Sequence, residues 1–201
     1  KTTNTKKIVL SFNKNEVANL PLDSLSKDAP LYDRKWTKTQ ISEKNILPKE
    51  FRSLKILDSL KKILMSPNNS EKSWIWNQYD QTVMGDTIQK PGGDSGIIRI
   101  HGKNKCIALT VDSSAHYCLA NPIIGGKQVV CEAWRNLVAV GAKPLAITNC
   151  LNFGNPEKDK IMGQFVETID GISQACVYLD FPVVSGNVSF YNETNNSAIS
   201  P

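Results

Sequence analysis

Residues 145–189 read LAITNCLNFGNPEKDKIMGQFVETIDGISQACVYLDFPVVSGNVS, and this stretch decides the fold class. A short apolar run at 145–148 and another at 181–184 are each predicted to form a buried strand. Between them, Pro156 is expected to begin a long helix, because proline is favoured in a first helical turn. The apolar stripe of that helix is Ile161, Phe165, Ile169, Ile172, Cys176 and Leu179. Strand, helix and strand in succession are typical of an α/β domain.

The region before this stretch adds a β-rich start and a further helix. A glycine-rich turn at 91–96 is followed by a predicted strand at 97–100, a hairpin loop, and a return strand at 106–111. A helix is expected from about 126 to 140, and Gly141 ends it. Its predicted inner face is Val130, Ala133, Trp134, Leu137 and Val138. Residues 72–201 therefore read as an α/β domain.

The first third of the chain is more polar. Ile8 to Leu10 is a strand candidate before a polar turn, and residues 28–47 indicate a connector punctuated by Pro30 and Pro48. Apolar residues at 56–64 have helical spacing, and the sequence Pro-Asn-Asn stops that helix. Ser70 is expected to cap a second short helix that carries Trp74, Trp76 and Tyr79.

Composition excludes several classes of protein. The chain has 201 residues, 40% apolar and 21% charged, as expected for a globular protein, and no apolar run approaches the roughly 18 residues of a membrane helix. Its net charge of +5 arises in residues 1–72, where the lysines are scattered without interleaved aromatic residues, so a solvated basic surface is favoured over nucleic-acid binding. Five cysteines without metal-ligand spacing indicate reduced, buried thiols of a cytosolic protein.

Four constellations carry possible chemistry, and each has a structural alternative. Ser185-Gly186-Asn187 after a strand fits either a turn that receives phosphate and Mg²⁺ or an ordinary tight turn. Asp94 and Asp112 fit either a cation site or two turn caps. Arg135 is either a phosphate contact or, as favoured, a surface arginine. For Cys150 a structural thiol is favoured over a nucleophile, because the flanking glycines of a nucleophile elbow are missing. No P-loop or dinucleotide motif is present in the sequence.

Several segments taken together resemble one family. Those segments are the YDQ motif at 79–81, PGGD at 91–94, EAWRNL at 132–137, GAKPLAIT at 141–148, CLNFGNPE at 150–157 and SGNVSFYNET at 185–194. In this order they resemble the synthetase subunits of phosphoribosylformylglycinamidine synthase, strongly over residues 80–201 and weakly before that. The resemblance implies an α/β (α+β) fold, the PurM-like or aminoimidazole ribonucleotide synthetase-like N-terminal domain, whose strands pair with a partner domain into a barrel-like sheet.

The same resemblance implies a domain division. Residues 1–30 would be the tail of a preceding PurM-like C-terminal domain, 31–79 a linker with short helices, and 80–201 a second N-terminal domain truncated at its C-terminal end. Both ends of the chain read as cuts in a longer polypeptide.

The implied activity is a ligase reaction. ATP phosphorylates the amide oxygen of formylglycinamide ribonucleotide, and ammonia from glutamine displaces the phosphate to give formylglycinamidine ribonucleotide in purine biosynthesis. The implied cofactors are ATP and Mg²⁺. The implied partners are the remaining synthetase domains, a PurQ-type glutaminase and small PurS-type subunits, in the cytoplasm and without nucleic acid or membrane.

Carried over position by position, the resemblance places Gly186 and Asn149 at ATP, Asn187 at Mg²⁺ and Ser189 at the ribonucleotide, with no catalytic acid or base in this chain. Asn149 departs from the aspartate usual in the family, because it keeps the acceptor oxygen but loses the charge. One alternative is a non-catalytic nucleotide-binding scaffold half of the same synthetase. Another is a different member of the ATP-binding superfamily, against which the CLNFGNPE run argues.

Overall fold

A computed structural model describes residues 1–41 and 55–201. The chain divides into two compact units, Lys1–Arg34 and Lys35–Pro201. Pro48 and part of the predicted connector lie outside the described residues. None of the helices in the described part of the chain has the length and hydropathy that a membrane crossing requires.

The first unit contains an antiparallel hairpin. Strand β1 (Lys7–Phe12) pairs with β2 (Asn15–Pro21), and a 3-10 turn covers Asp23–Leu25. Asn13 and Lys14 form the two-residue connection, with φ of 48° and 68°, the left-handed values that tight hairpin turns require. The predicted strand and turn are confirmed. The return strand β2 was not predicted, because it begins with the polar residues Asn15 and Glu16.

The second unit holds the remaining elements. Its helices are α1 (Ile56–Leu64), α2 (Ser73–Trp76), α3 (Ala115–Ala120), α4 (Pro122–Ala139) and α5 (Asp159–Leu179). Its strands are β3 (Thr87–Gln89), β4 (Gly96–Arg99), β5 (Cys106–Leu109), β6 (Ile147–Asn152), β7 (Val183–Ser189), β8 (Glu193–Thr194) and β9 (Ser197–Ala198). Strands β3, β4 and β5 form one antiparallel sheet, β6 pairs parallel with β7, and β8 with β9 forms a small hairpin.

Several predicted boundaries were wrong for local reasons. Helix α4 already begins at Pro122, because the side chain of Asn121 accepts a hydrogen bond from the Ile124 N–H at 3.1 Å and caps it. Ser70 does not cap α2: its hydroxyl donates to the Pro67 carbonyl, and the Glu71 carboxylate accepts from the Ser73 N–H at 2.7 Å.

Helix α5 begins three residues later than predicted. The Asn155 side chain accepts from the Glu157 N–H at 2.8 Å, and this turn includes Pro156. At the other end Asp180 takes the left-handed conformation, with φ of 49°. The Phe181 N–H then donates back to the Cys176 carbonyl at 3.0 Å, which satisfies a terminal carbonyl of the helix.

The core lies between α4, α5 and β6. Its buried members are Val130, Leu137, Ile172, Ala175, Cys176 and Phe181, and Ile147 and Leu151 of β6 pack against them. The predicted inner face of α4 is confirmed at Val130 and Leu137, whereas Val138 is 42% exposed. Leu145 and Val184, predicted to lie in buried strands, are 71% and 66% exposed.

Glycines set the distance between α4 and α5. A Cβ on Gly126 would lie 2.5 Å from the Thr168 carbonyl oxygen, and a Cβ on Gly171 would collide with the Ile123 carbonyl oxygen. Backbone atoms cannot move aside as a flexible side chain can, so the close packing of the two helices depends on the missing side chains.

Segment 37–39 runs along α5. The Thr37 N–H donates to the Asp159 carbonyl at 3.1 Å, and the Thr39 N–H donates to the Glu167 carboxylate at 3.0 Å. Gly163 leaves the space that the Thr37 carbonyl occupies. Glu167 is only 6% exposed. The Thr39 N–H therefore gives this buried carboxylate a hydrogen-bond donor, and a bond to an ionised acceptor is stronger than one between neutral groups.

Replacing Gly171 by alanine tests the helix contact. Overpacking costs about 1–3 kcal/mol, whereas alanine gains about 1 kcal/mol over glycine in a helix interior. Because the obstacle is a backbone oxygen, we expect the steric effect to win and the free energy of unfolding to fall by about 1–2 kcal/mol in urea denaturation. Gly96→Ala is the control, since open space surrounds Gly96; an unchanged midpoint for Gly171→Ala would contradict the predicted packing.

Candidate functional site

The candidate site lies along the parallel pair β6 and β7. In register, Asn149 is opposite Gly186, Cys150 is opposite Asn187, and Asn152 is opposite Ser189. All four residues expected at ATP, Mg²⁺ and the ribonucleotide therefore lie on two neighbouring strands. The predicted Ser-Gly-Asn turn was wrong, because residues 185–187 are inside β7. Long-range pairing with β6 overrides the local turn preference of Gly and Asn.

The four residues divide between two faces of the strand pair. Successive side chains of a strand point to opposite faces, so Asn149 and Gly186 share one face while Asn187 and Ser189 share the other. The first face is the one toward the core, because it also carries Ile147 and Leu151. The strand pair thus keeps the two expected ATP contacts together and separates them from the expected metal and substrate contacts.

Asn149 and Gly186 are sterically coupled. A Cβ on Gly186 would collide with the Oδ1 atom of Asn149 and would lie 3.0 Å from the Asn149 carbonyl oxygen. The amide of Asn149 therefore occupies the volume that any side chain at position 186 would need. Glycine is required here for space rather than for an unusual backbone angle, since Gly186 is not among the glycines with positive φ.

The face with Asn187 and Ser189 is built from small neutral groups. Its members are Thr148, Cys150 and Asn152 of β6 and Ser185, Asn187 and Ser189 of β7. Cys150 is exposed, so the expected burial of this thiol was wrong, and the Asn152 amide contacts its sulfur at 3.6 Å. Among the other cysteines Cys118 and Cys176 are buried, and burial raises the pKa of both thiols.

Ser189 is held by a residue that the sequence motifs did not single out. The Asn192 Nδ2 atom lies 3.0 Å from the Ser189 carbonyl oxygen, 3.0 Å from the Phe153 carbonyl oxygen and 3.1 Å from Ser189 Oγ. The Ser189 hydroxyl lies 3.3 Å from Asn192 Oδ1. Only the polar character of the NET sequence after the strand could have indicated this contact.

Two loops follow the two strands and are fastened together. The βα loop (residues 153–158) and the post-β7 segment (residues 190–196) exchange backbone bonds, from Tyr191 N–H to Gly154 O at 3.0 Å and from Asn192 N–H to Phe153 O at 3.1 Å. Phe165 of α5 makes edge contacts with both flanking aromatic rings, at 5.2 Å to Phe153 and 4.9 Å to Phe190. This double anchoring fixes the ends of both strands.

Glu193 adds an ionic contact between the same two loops. Its carboxylate accepts from Lys158 Nζ at 2.7 Å and from the Asn155 N–H at 3.2 Å. The hydrogen bond from Lys158, followed by that from the Asn155 backbone, lowers the pKa of Glu193. Lys158 is thereby engaged in structure and is not a free cation beside the strands.

Asp112 has structural partners for its carboxylate. Asp112 accepts from Asn136 Nδ2 at 2.9 Å and from Thr110 Oγ1 at 3.2 Å, so both carboxylate oxygens have partners. Within residues 1–41 and 55–201, no group of three His, Cys, Asp or Glu side chains is arranged to hold a metal ion. Arg135 is exposed on α4, as the favoured interpretation expected.

The donor chemistry of the strand face fits a magnesium ion carried by phosphates. Mg²⁺ takes oxygen ligands and usually keeps substrate phosphates and waters in its shell. Asn187 offers an amide oxygen, and Ser185 and Ser189 offer hydroxyl oxygens on the same face. These neutral oxygens are suited to add ligands to an ion that phosphates already hold, and not to bind the ion by themselves.

A cavity of about 480 Å³ lies along β6 and is lined by all six residues of the strand. Asn149, Thr168 and Asp112 are among its lining residues. The side chain of Asn149 is therefore accessible from a concave surface, as a ligand contact requires.

Comparison with known proteins assigns the domain. The family described as "AIR synthase related protein, N-terminal domain" matches residues 92–200, which is more than half of the chain. The chain belongs to the AIR synthase related family. This match confirms the fold class that the motifs implied.

Curated relatives cover the whole chain. It is 58% identical over 201 residues to the phosphoribosylformylglycinamidine synthase subunit PurL of Pelagibacter ubique, and 49% identical over 200 residues to that of Rhodopseudomonas palustris. The family resemblance read from the motifs is thus confirmed. The chain spans 28% and 27% of the length of these two relatives.

Solved structures of this family agree in fold. Thermotoga maritima PurL complexed with ATP has a TM-score of 0.70 and 28% identity, and the complex with FGAR has 0.69 and 26%. A structure of PurLQS from the same organism gives 0.73 and 28%. The alignments cover 98% of this chain and 29–30% of those chains.

The coupling of Asn149 and Gly186 in this AIR synthase related domain predicts non-additive substitutions. Gly186→Ala forces the Asn149 amide to move, and we expect the free energy of unfolding to fall by roughly 1–3 kcal/mol. Truncating the obstruction with Asn149→Ala should recover most of that loss in the double variant, as measured by urea denaturation. Strictly additive losses would show that the two positions do not compete for space.

The ionic contact of Glu193 predicts a pH-dependent stability. A lowered folded-state pKa means that the carboxylate stabilises the fold above the ordinary glutamate pKa, and that this contribution disappears as pH falls through the folded value. We expect Glu193→Gln to lower the Tm at pH 7, with the difference from the parent shrinking toward zero below about pH 4. Exposed Glu16 provides the control Glu16→Gln; a Tm difference independent of pH would contradict this assignment.

Proposed function

We propose that this chain is part of a phosphoribosylformylglycinamidine synthase, the ligase that converts formylglycinamide ribonucleotide and glutamine-derived ammonia to formylglycinamidine ribonucleotide. The observation that carries the proposal is the pairing of the two signature segments, whose strands lie in register with Asn149 beside Gly186 and Asn152 beside Ser189. The PurL relatives and the ATP and FGAR complexes of Thermotoga maritima PurL support it.

In this proposal the core-facing pair contacts ATP. The Asn149 oxygen fills the space next to Gly186, so in this proposal ATP contacts the Asn149 amide, and Gly186 contributes by leaving room for that amide. A neutral amide beside a triphosphate accepts or donates a hydrogen bond without adding repulsive charge. An aspartate here would need a cation between itself and the phosphates, whereas asparagine can meet them directly.

The opposite face is proposed to hold Mg²⁺ and the ribonucleotide. Asn187 offers its amide oxygen to the ion, and Ser189 offers its hydroxyl to the ribonucleotide. Mg²⁺ bound there would supply charge neutralisation to phosphate groups on the same face. What the chain's own residues contribute is position: each side chain extends from a strand whose partner and following loop are fixed.

The remaining expectations are proposals of the same kind. They comprise the division into a preceding-domain tail at 1–30, a linker at 31–79 and a second N-terminal domain at 80–201. They also comprise a barrel-like sheet with a partner domain, PurQ-type glutaminase and PurS-type subunits, and a cytoplasmic location.

The alternative is a nucleotide-binding scaffold half without catalytic contact. The four residues lie on two faces of the strand pair, so one ligand cannot contact all of them from one side. This separation favours the scaffold. The two proposals differ in what happens to turnover when the exposed face is altered.

Substitution of the exposed face in the full-length synthetase separates the two. We expect Asn187→Ala and Ser189→Ala to lower ammonia-dependent turnover by tenfold or more, because positioned polar contacts of this kind contribute about 1–3 kcal/mol. Tm should change little, since both variants retain the strand. Thr148→Val on the same face is the matched control, since Thr148 is exposed and has no proposed ligand. Unchanged turnover with a lowered Tm would favour the scaffold instead.

A further inference from the structure

Ser189 and Asn192 form a closed side-chain pair at the end of β7. Asn192 Nδ2 lies 3.0 Å from two carbonyl oxygens, those of Phe153 and Ser189. Because carbonyl oxygens can only accept, the orientation of the amide is fixed with its nitrogen toward them. Its oxygen must then face the Ser189 hydroxyl, and that contact is 3.3 Å long.

The geometry gives the Ser189 hydroxyl a preferred role. Its oxygen lies 3.1 Å from Asn192 Nδ2, whose two hydrogens are shared between it and the two carbonyl oxygens, while its own hydrogen has only the longer contact to Oδ1. The oxygen position is therefore held, and rotation about the C–O bond can deliver the hydrogen to an outside acceptor. A serine restrained in this way is a hydrogen-bond donor with little conformational entropy left to lose on binding.

We infer that Asn192 is a positioning residue that makes Ser189 a preorganised donor toward a phosphate or carbonyl oxygen of the substrate. This inference rests on the proposed function of Ser189. It makes substrate binding depend on Asn192, a residue that need not contact the substrate itself.

The anchoring of Asn192 supports this role. Its backbone N–H donates to Phe153 O at 3.1 Å, and its carbonyl accepts from the Ile199 N–H at 3.0 Å. Phe153 is 2% exposed. The Asn192 amide is therefore attached to the buried residue that follows β6 and not to a free loop. This fixes the position of Ser189 Oγ relative to the core.

Asn192→Asp is the informative change. The carboxylate keeps the shape of the amide but cannot donate, so it draws the Ser189 hydrogen to itself and removes it from the ligand. In the full-length synthetase we expect KM for formylglycinamide ribonucleotide to rise about five- to tenfold, the effect of one hydrogen bond. KM for ATP should be unchanged.

A double-mutant cycle distinguishes positioning from direct repulsion of the substrate anion. In a Ser189→Ala background, Asn192→Asp should have no further effect on that KM, because the hydroxyl through which it acts is gone. A full additional rise in that background would overturn the inference in favour of direct charge repulsion. Asn195→Asp, which adds the same charge in the adjacent turn, is the control.

Failure of the two proposals gives different results. If Ser189→Ala leaves KM for the ribonucleotide unchanged, the proposed role of Ser189 fails. If Ser189→Ala raises KM but Asn192→Asp does not, only the positioning role of Asn192 fails. Should Asn192→Asp not fold, Asn192→Ala replaces it in the same cycle, because water can then satisfy the two carbonyls, and the same two outcomes decide.

Discussion

Strands β6 and β7 run parallel, so the chain must return from the end of one to the start of the other, and α5 makes that crossing. Both strands consequently end at the same edge, and the segments that follow them meet there. Everything proposed for the site depends on this meeting. Asn149 and Gly186 are 37 positions apart in the sequence, and only this register brings them together.

The same arrangement explains why the signature segments are so specific. Many of their residues serve the junction between the two loops: Phe153 and Phe190 pack on Phe165, and Glu193 binds Lys158 and the Asn155 N–H. A Cβ on Gly154 would meet the Ala198 Cβ at 2.5 Å. The residues that remain for a ligand are those of the exposed strand face and the pair Asn149 and Gly186. The signature segments therefore have two roles: some of their residues hold the two loops together, and others form the surface that is proposed to bind a ligand.

The sequence predicted the order of the elements well, because helical periodicity in α4 and α5 and apolar runs at the strands are local signals. What it could not predict depends on distant partners. Ser185-Gly186-Asn187 has the composition of a turn, yet hydrogen bonding to β6 keeps it extended. Cys150 was expected to be a buried structural thiol because the glycines of a nucleophile elbow are missing, but strand alternation places it on the open face. Asn192 lies in the SGNVSFYNET segment, but its contacts could not be predicted because one of its partners is the carbonyl of Phe153, 39 positions away.

The electrostatic character of the strand faces limits what this chain contributes to a reaction between anions. Thr148, Cys150, Asn152, Ser185, Asn187 and Ser189 present neutral atoms, and Asn149 is neutral as well. Lys158 is neutralised by Glu193. Neutral hydrogen-bond groups orient a phosphate but do not offset its charge, which requires cations. In the proposed function, β6 and β7 therefore contact ATP and the ribonucleotide through neutral groups on opposite faces, while the positive charge has to come from the metal ion or from residues outside these two strands.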